Sequence, residues 1–150
     1  MRAISARDVL VLIGWAATIA LLTMITEYAK TPRPGSYGTS FDALDLAIVL
    51  ATSLVFGIFL VDPVKIIYGF LGVVPLSIVI SVISSALYDL YVLGLGELFS
   101  ETALGWEWEL VTWLAFLRVF RIIFPAGVIL GFIGAMIGGI ASDFIWPHRG

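Results

Sequence analysis

Four apolar runs, residues 9–26, 46–61, 66–88 and 122–142, fill most of this 150-residue chain. A helix that crosses a bilayer needs about 20 mostly apolar residues to cover a hydrocarbon core about 30 Å thick. Each run is close to that length, and residues 41–44 extend the second, shortest one at headgroup depth. The sequence therefore predicts an all-α, polytopic membrane protein: a four-transmembrane-helix bundle in a single transmembrane domain. The spans are expected over about 8–28, 42–61, 63–89 and 122–145, with an interfacial or kinked segment at about 106–121 before the last helix.

Composition agrees with lipid as the solvent. Hydrophobic residues make up 61% of the chain and charged residues 13%, where soluble domains carry about 25% charged residues. The net charge of −3 is small and scattered, and no basic stretch interleaved with aromatics lies outside the apolar runs, so nucleic acid is not an expected partner. The chain has no Cys, Asn or Gln. Depletion of these thermolabile residues marks hyperthermophile proteins, and the reading here is an archaeal hyperthermophile. The same absences leave no disulfide, thiol chemistry, Cys metal site or N-glycosylation sequon.

Arg2 and Arg7 precede the first run, which continues through Leu21, Leu22 and Ile25 without an A-x-A site. An uncleaved anchor is expected rather than a cleaved signal peptide. With both termini cytoplasmic at a cell membrane, Arg2, Arg7, Lys65 and Arg149 face inward, while Lys30 and Arg33 face out.

Local signals place the helix ends. Ser5 or Asp8 starts the first helix. Two prolines and two glycines make residues 31–40 a loop, after which Thr39 or Ser40 is expected to cap the second helix, with Asp42 and Asp45 in its first turn. Asp62 followed by Pro63 is a start signal for the third helix, and so short a connection makes helices two and three antiparallel neighbours. Pro75 removes one backbone bond and is expected to kink that helix. Residues 89–109 read as a polar connection at headgroup depth, with Trp106, Trp108 and Trp113 close by. A bend is expected at Pro125, with an interfacial helix over about 107–124 before it.

Two constellations are candidates for function. Arg118 and Arg121, three residues apart, share a helix face but have no acid one turn away. They are expected to snorkel to lipid headgroups; a salt bridge to Asp89, Glu97, Glu101 or an acid of the second helix, such as Asp45, and an anion site are the alternatives. The second is a small-residue stripe, Gly127, Gly131, Ala135 and Gly139, with Gly134, Gly138 and Ser142 beside it. Small residues at this spacing let another backbone approach closely; the expected partner is the first helix, with its Gly14, Ala16, Ala17 and Ala20, or another subunit. Ser77, Ser81 and Ser85 form a hydroxyl stripe, read as packing with the hydroxyls bonded to backbone carbonyls.

The acids Glu27, Asp45, Asp62, Asp89 and Asp143 fall at predicted helix ends, which argues against a proton- or sodium-coupled transporter. His148 reads as a solvated tail residue. No catalytic, metal or nucleotide motif is present, so no catalytic residue, cofactor or metal is expected. The leading expectation is a non-enzymatic structural or assembly subunit of a membrane complex. Its partners are the lipid bilayer and other membrane helices, in a hetero- or homo-oligomer. The alternative is a small homo-oligomeric channel or transporter with an anion path along Arg118 and Arg121. A lipid-modifying enzyme using Glu97 and Glu101 comes third.

Overall fold

The structure is a computed structural model, and it describes residues 5–29, 41–91 and 107–145. These residues form five helices and no strand: α1 (Ala6–Ala29), α2 (Ala43–Leu60), α3 (Pro63–Tyr91), α4 (Glu107–Ile123) and α5 (Ala126–Ile145). Helices α1, α2 and α3 are each long and apolar enough to cross a membrane. Residues Glu109–Ile123 and Ala126–Ser142 pass the same test as a pair and meet at a bend of 51°, so the described residues hold three candidate spans, or four if the bent pair is one. The bend falls at Phe124 and Pro125, whose peptide bond is cis.

The helix starts follow from short polar side chains that satisfy backbone N–H groups left free in a first turn. Ser5 and Asp8 cap α1 reciprocally: Asp8 N–H donates to Ser5 Oγ at 3.2 Å and Ser5 N–H to Asp8 Oδ2 at 2.9 Å. The cap of α2 differs from the expected Thr39 or Ser40, which lie outside the described residues. Asp42 is the N-cap, and Asp42 and Asp45 form the reciprocal capping box. Asp62 Oδ1 accepts from Val64 N–H at 2.9 Å at the start of α3. Helix α3 then runs through Pro75 for 29 residues, about 43 Å at 1.5 Å per residue.

Helices α1 and α3 run parallel, with Asp8 against Lys65 near their starts and Tyr28 against Asp89 near their ends. Helix α2 runs against both. Helix α5 runs alongside α2 in the same direction: Gly127 lies against Phe41, and Gly139 reaches Ile66 and Val61. One pole of the bundle thus gathers the end of α1, the start of α2 and the end of α3, and the opposite pole holds the Asp8–Lys65 pair.

The molecule is apolar outside and partly polar within. Leu10, Leu21, Leu71 and Ile140 are among the many large apolar side chains that are well exposed, whereas Thr23, Ser53, Ser77 and Ser81 are fully buried. Hydrocarbon, and not water, is the solvent that suits this exterior. The middle of the core centres on Trp15, whose ring packs on Phe70 and Phe56 at 5.5 and 6.1 Å and whose Nε1–H donates to Ser53 Oγ at 3.0 Å. An indole in such a core needs that partner for its N–H.

Candidate functional site

The small-residue stripe of α5 faces α2 of the same chain, in the most extensive helix pairing of the bundle. No α1 atom is among the nearest neighbours of its glycines. Ala135 sits under Gly57, where a Cβ on the glycine would run into the Ala135 carbonyl oxygen. A Cβ on Gly134 would lie 2.6 Å from the Leu50 carbonyl oxygen, and one on Gly138 would overlap the Leu54 carbonyl oxygen. The closest approach is therefore made by Gly134 and Gly138 from α5 and Gly57 from α2. Of the remaining stripe positions, Gly127 faces the Phe41 ring, Gly131 faces Phe70, Ser53 and Val49, and Gly139 faces the tip of Ile66. Gly57 is the member that the sequence pattern did not single out, because it stands alone on its helix.

The second assembly lies at the pole where α1 and α3 end. Arg118 reaches inward from α4, with its side chain 14% exposed. One guanidinium nitrogen is 3.1 Å from Glu27 Oε1 on α1, and the other pairs with Asp89 Oδ2 on α3. Asp89 is one of the partners that the sequence offers for Arg118; Glu27 is not. Arg121, on the same helix, is exposed and makes no ion pair with a described residue. Glu97 and Glu101 lie outside the described residues.

Two hydroxyls join the acids. Ser85 Oγ donates to Glu27 Oε1 at 2.8 Å, and Tyr28 Oη donates to Asp89 Oδ1 at 3.0 Å. The hydroxyls of Tyr28 and Ser85 are themselves 2.8 Å apart. The Tyr28 ring is fixed from outside by Tyr88, with ring centroids 4.2 Å apart. Next to Glu27, Thr26 Oγ1 donates to Asp45 Oδ2 at 3.1 Å, which ties the start of α2 to the same pole. Glu27 and Asp89 are 4% and 3% exposed, so these carboxylates are inside the bundle although both stand near helix ends. Of the two Glu27 oxygens, Oε2 is buried without any hydrogen-bond partner. With every member ionised the cluster has two negative charges against one positive.

The hydroxyl stripe of α3 divides at this cluster. Ser77 and Ser81 return their hydroxyls to the backbone carbonyls of Val74 and Ser77, while Ser85 leaves its own helix for Glu27. Among the described residues no group of three His, Cys, Asp or Glu side chains is arranged to hold a metal ion. At the other pole an apolar groove of about 720 Å³ opens between α1 and α3, lined by Leu12, Ile13, Gly69, Gly72 and Leu76 and closed by the Asp8–Lys65 pair at 2.6 Å. No family model matches the sequence, and neither curated proteins nor solved structures show a match to it.

Proposed function

We propose that this chain is a non-enzymatic structural or assembly subunit of a membrane complex. In this reading it crosses the cell membrane of an archaeal hyperthermophile four times, with α4 and α5 forming one bent span and both termini cytoplasmic. The observation that carries the proposal is a row of stacked rings along α4. Trp113, Phe116, Phe120 and Phe124 stack in series with centroids 5.6, 5.8 and 5.0 Å apart, and Trp113 is 60% exposed. Rings already held by one another lose little further freedom on contact and offer a large apolar surface, the character of residues that dominate interfaces. The α5 glycines are covered within the chain by α2, by Phe41 and by the α3 side chains Ile66 and Phe70, so a partner transmembrane helix docks on this aromatic row instead. Native mass spectrometry of the assembly released gently from membranes is the test. Different chains at fixed stoichiometry, lost on Phe120→Ala with the fold intact, are the expected result; the intact chain recovered alone overturns the proposal.

The buried cluster favours a second reading, a small homo-oligomeric channel or transporter. Arg118 is held between two carboxylates, so a path at this pole suits protons or cations better than the anion path drawn along Arg118 and Arg121. A pure homo-oligomer in the same experiment supports this reading over the first.

A further inference from the structure

We infer that Glu27, Asp89 and Arg118 form a proton-binding site, in which the two carboxylates share one exchangeable proton that rests on Glu27. The inference holds whichever of the two functional readings is right, because it rests on three features of the cluster itself. The first is charge. Two carboxylates face one guanidinium, leaving an excess negative charge among groups that are almost wholly buried. An unbalanced buried charge is expensive, and taking up a proton is the least disruptive way to remove it.

The second feature is the orphan oxygen. Arg118 and Ser85 both serve Glu27 Oε1, and nothing serves Oε2. A buried carboxylate oxygen without a donor is costly, whereas a neutral carboxyl group with one unpartnered oxygen costs far less. Asp89, by contrast, has Arg118 on one oxygen and Tyr28 on the other.

The third feature is the connection between the acids. Glu27 Oε1, Ser85 Oγ, Tyr28 Oη and Asp89 Oδ1 form a continuous chain with steps of 2.8, 2.8 and 3.0 Å. Each hydroxyl can accept a proton on one side while releasing one on the other. With the proton on Glu27 Oε1, the carboxyl donates to Ser85 Oγ, the Ser85 hydrogen turns to Tyr28 Oη, and Tyr28 donates to Asp89; moving each hydrogen one step leaves the proton on Asp89 Oδ1, with Tyr28 donating to Ser85 and Ser85 to Glu27. The proton enters from water at this membrane face and bonds to a Glu27 carboxyl oxygen, and the cluster passes from one net negative charge to none.

A proton fits better than a metal cation. The guanidinium 3.1 Å from Glu27 Oε1 would repel a cation placed among these oxygens, and a proton needs no added volume. The other ionisable groups that face the cluster among the described residues are Tyr28 on α1, Asp45 on α2, next to Thr26, and Tyr88 on α3. None of them supplies a second positive charge.

Infrared spectroscopy of the purified protein in lipid vesicles tests the site through the carbonyl band of a protonated carboxylic acid. At neutral pH the wild-type protein should show one such band. Glu27→Gln should remove it. Asp89→Asn should remove it as well, because Glu27 and Arg118 are then balanced and Glu27 ionises. No band in the wild type, or a band that survives either substitution, overturns the inference. If a variant does not fold, isotope labelling of the wild-type protein decides: a band shifted by carboxyl-labelled glutamate supports the site, and one shifted by labelled aspartate or by neither overturns it.

Discussion

The α2–α5 seam and the pole where α1 and α3 end hold the same bundle together by opposite means. At the seam, backbone meets backbone with glycine between, and the attraction is dispersion over a closely fitted surface. At the pole, helices α1, α3 and α4 are joined by long side chains that carry charge and hydrogen bonds across the gaps. The difference is instructive for chains that fold in lipid. Apolar burial does not distinguish one helix contact from another there, so specificity comes from either shape or polarity. The seam is sensitive to volume and indifferent to charge; the pole is the reverse.

The largest expected effect tests the polar side. Arg118→Met removes the charge and leaves the buried Glu27–Asp89 pair without its counter-ion, and should lower the unfolding free energy by about 3–5 kcal/mol. Denaturation in mixed micelles followed by circular dichroism measures it; a loss near that of an exposed charge would break the contrast. The matching change at the seam is Gly138→Ala. Its new methyl overlaps the Leu54 carbonyl oxygen, so the loss should be about 1–3 kcal/mol, all of it from volume.

The two regions were not equally legible from the sequence. The seam lies within one helix, where Gly134, Gly138 and Ala135 recur at helical spacing, so its existence could be read directly. Its partner could not, because Gly57 is a single glycine without a pattern around it. The pole is built from residues 27, 28, 85, 89 and 118, which lie on three different helices, and no local spacing connects them. In the sequence, Glu27 and Asp89 read as acids at helix ends. What gathers them is Arg118 turning inward, a choice made by three-dimensional packing of α4 on α1 and α3. The apolar runs, the Asp62–Pro63 start and the division at Pro125 were local signals and could be placed to within a few residues.

Smaller effects sharpen the comparison. Ser85→Ala removes one donor from Glu27 and one neighbour from Tyr28, and should cost about 1–2 kcal/mol in the same denaturation assay. The α2–α3 connection offers a change in the stabilising direction. Val61 has φ 62°, and Leu60 O accepts from Asp62 N–H at 2.6 Å across it, a tight three-residue turn that a β-branched residue enters only under strain. Val61→Gly should raise stability by about 1 kcal/mol, the strain relieved less the added chain entropy of glycine. The smallest effect belongs to Gly131→Ala. The methyl would meet Phe70, Ser53 and Val49 at 3.4–3.6 Å, ordinary contact distances, and helix propensity favours alanine by up to about 1 kcal/mol. A loss as large as that of Gly138→Ala would mean that the seam is packed differently along its length.

The small-residue face of α5 is closed within the same chain, chiefly by α2. The sequence has no cysteine, so an engineered pair reports without background. A Cβ on Gly131 would lie 3.5 Å from Ser53 Oγ, within reach of a disulfide. Ser53→Cys combined with Gly131→Cys, oxidised in the membrane, should yield a cross-link within one chain, seen as a monomer whose α2 and α5 fragments stay joined after cleavage between them until reduced. A cross-linked dimer with no internal link would contradict it and give that face to a second copy.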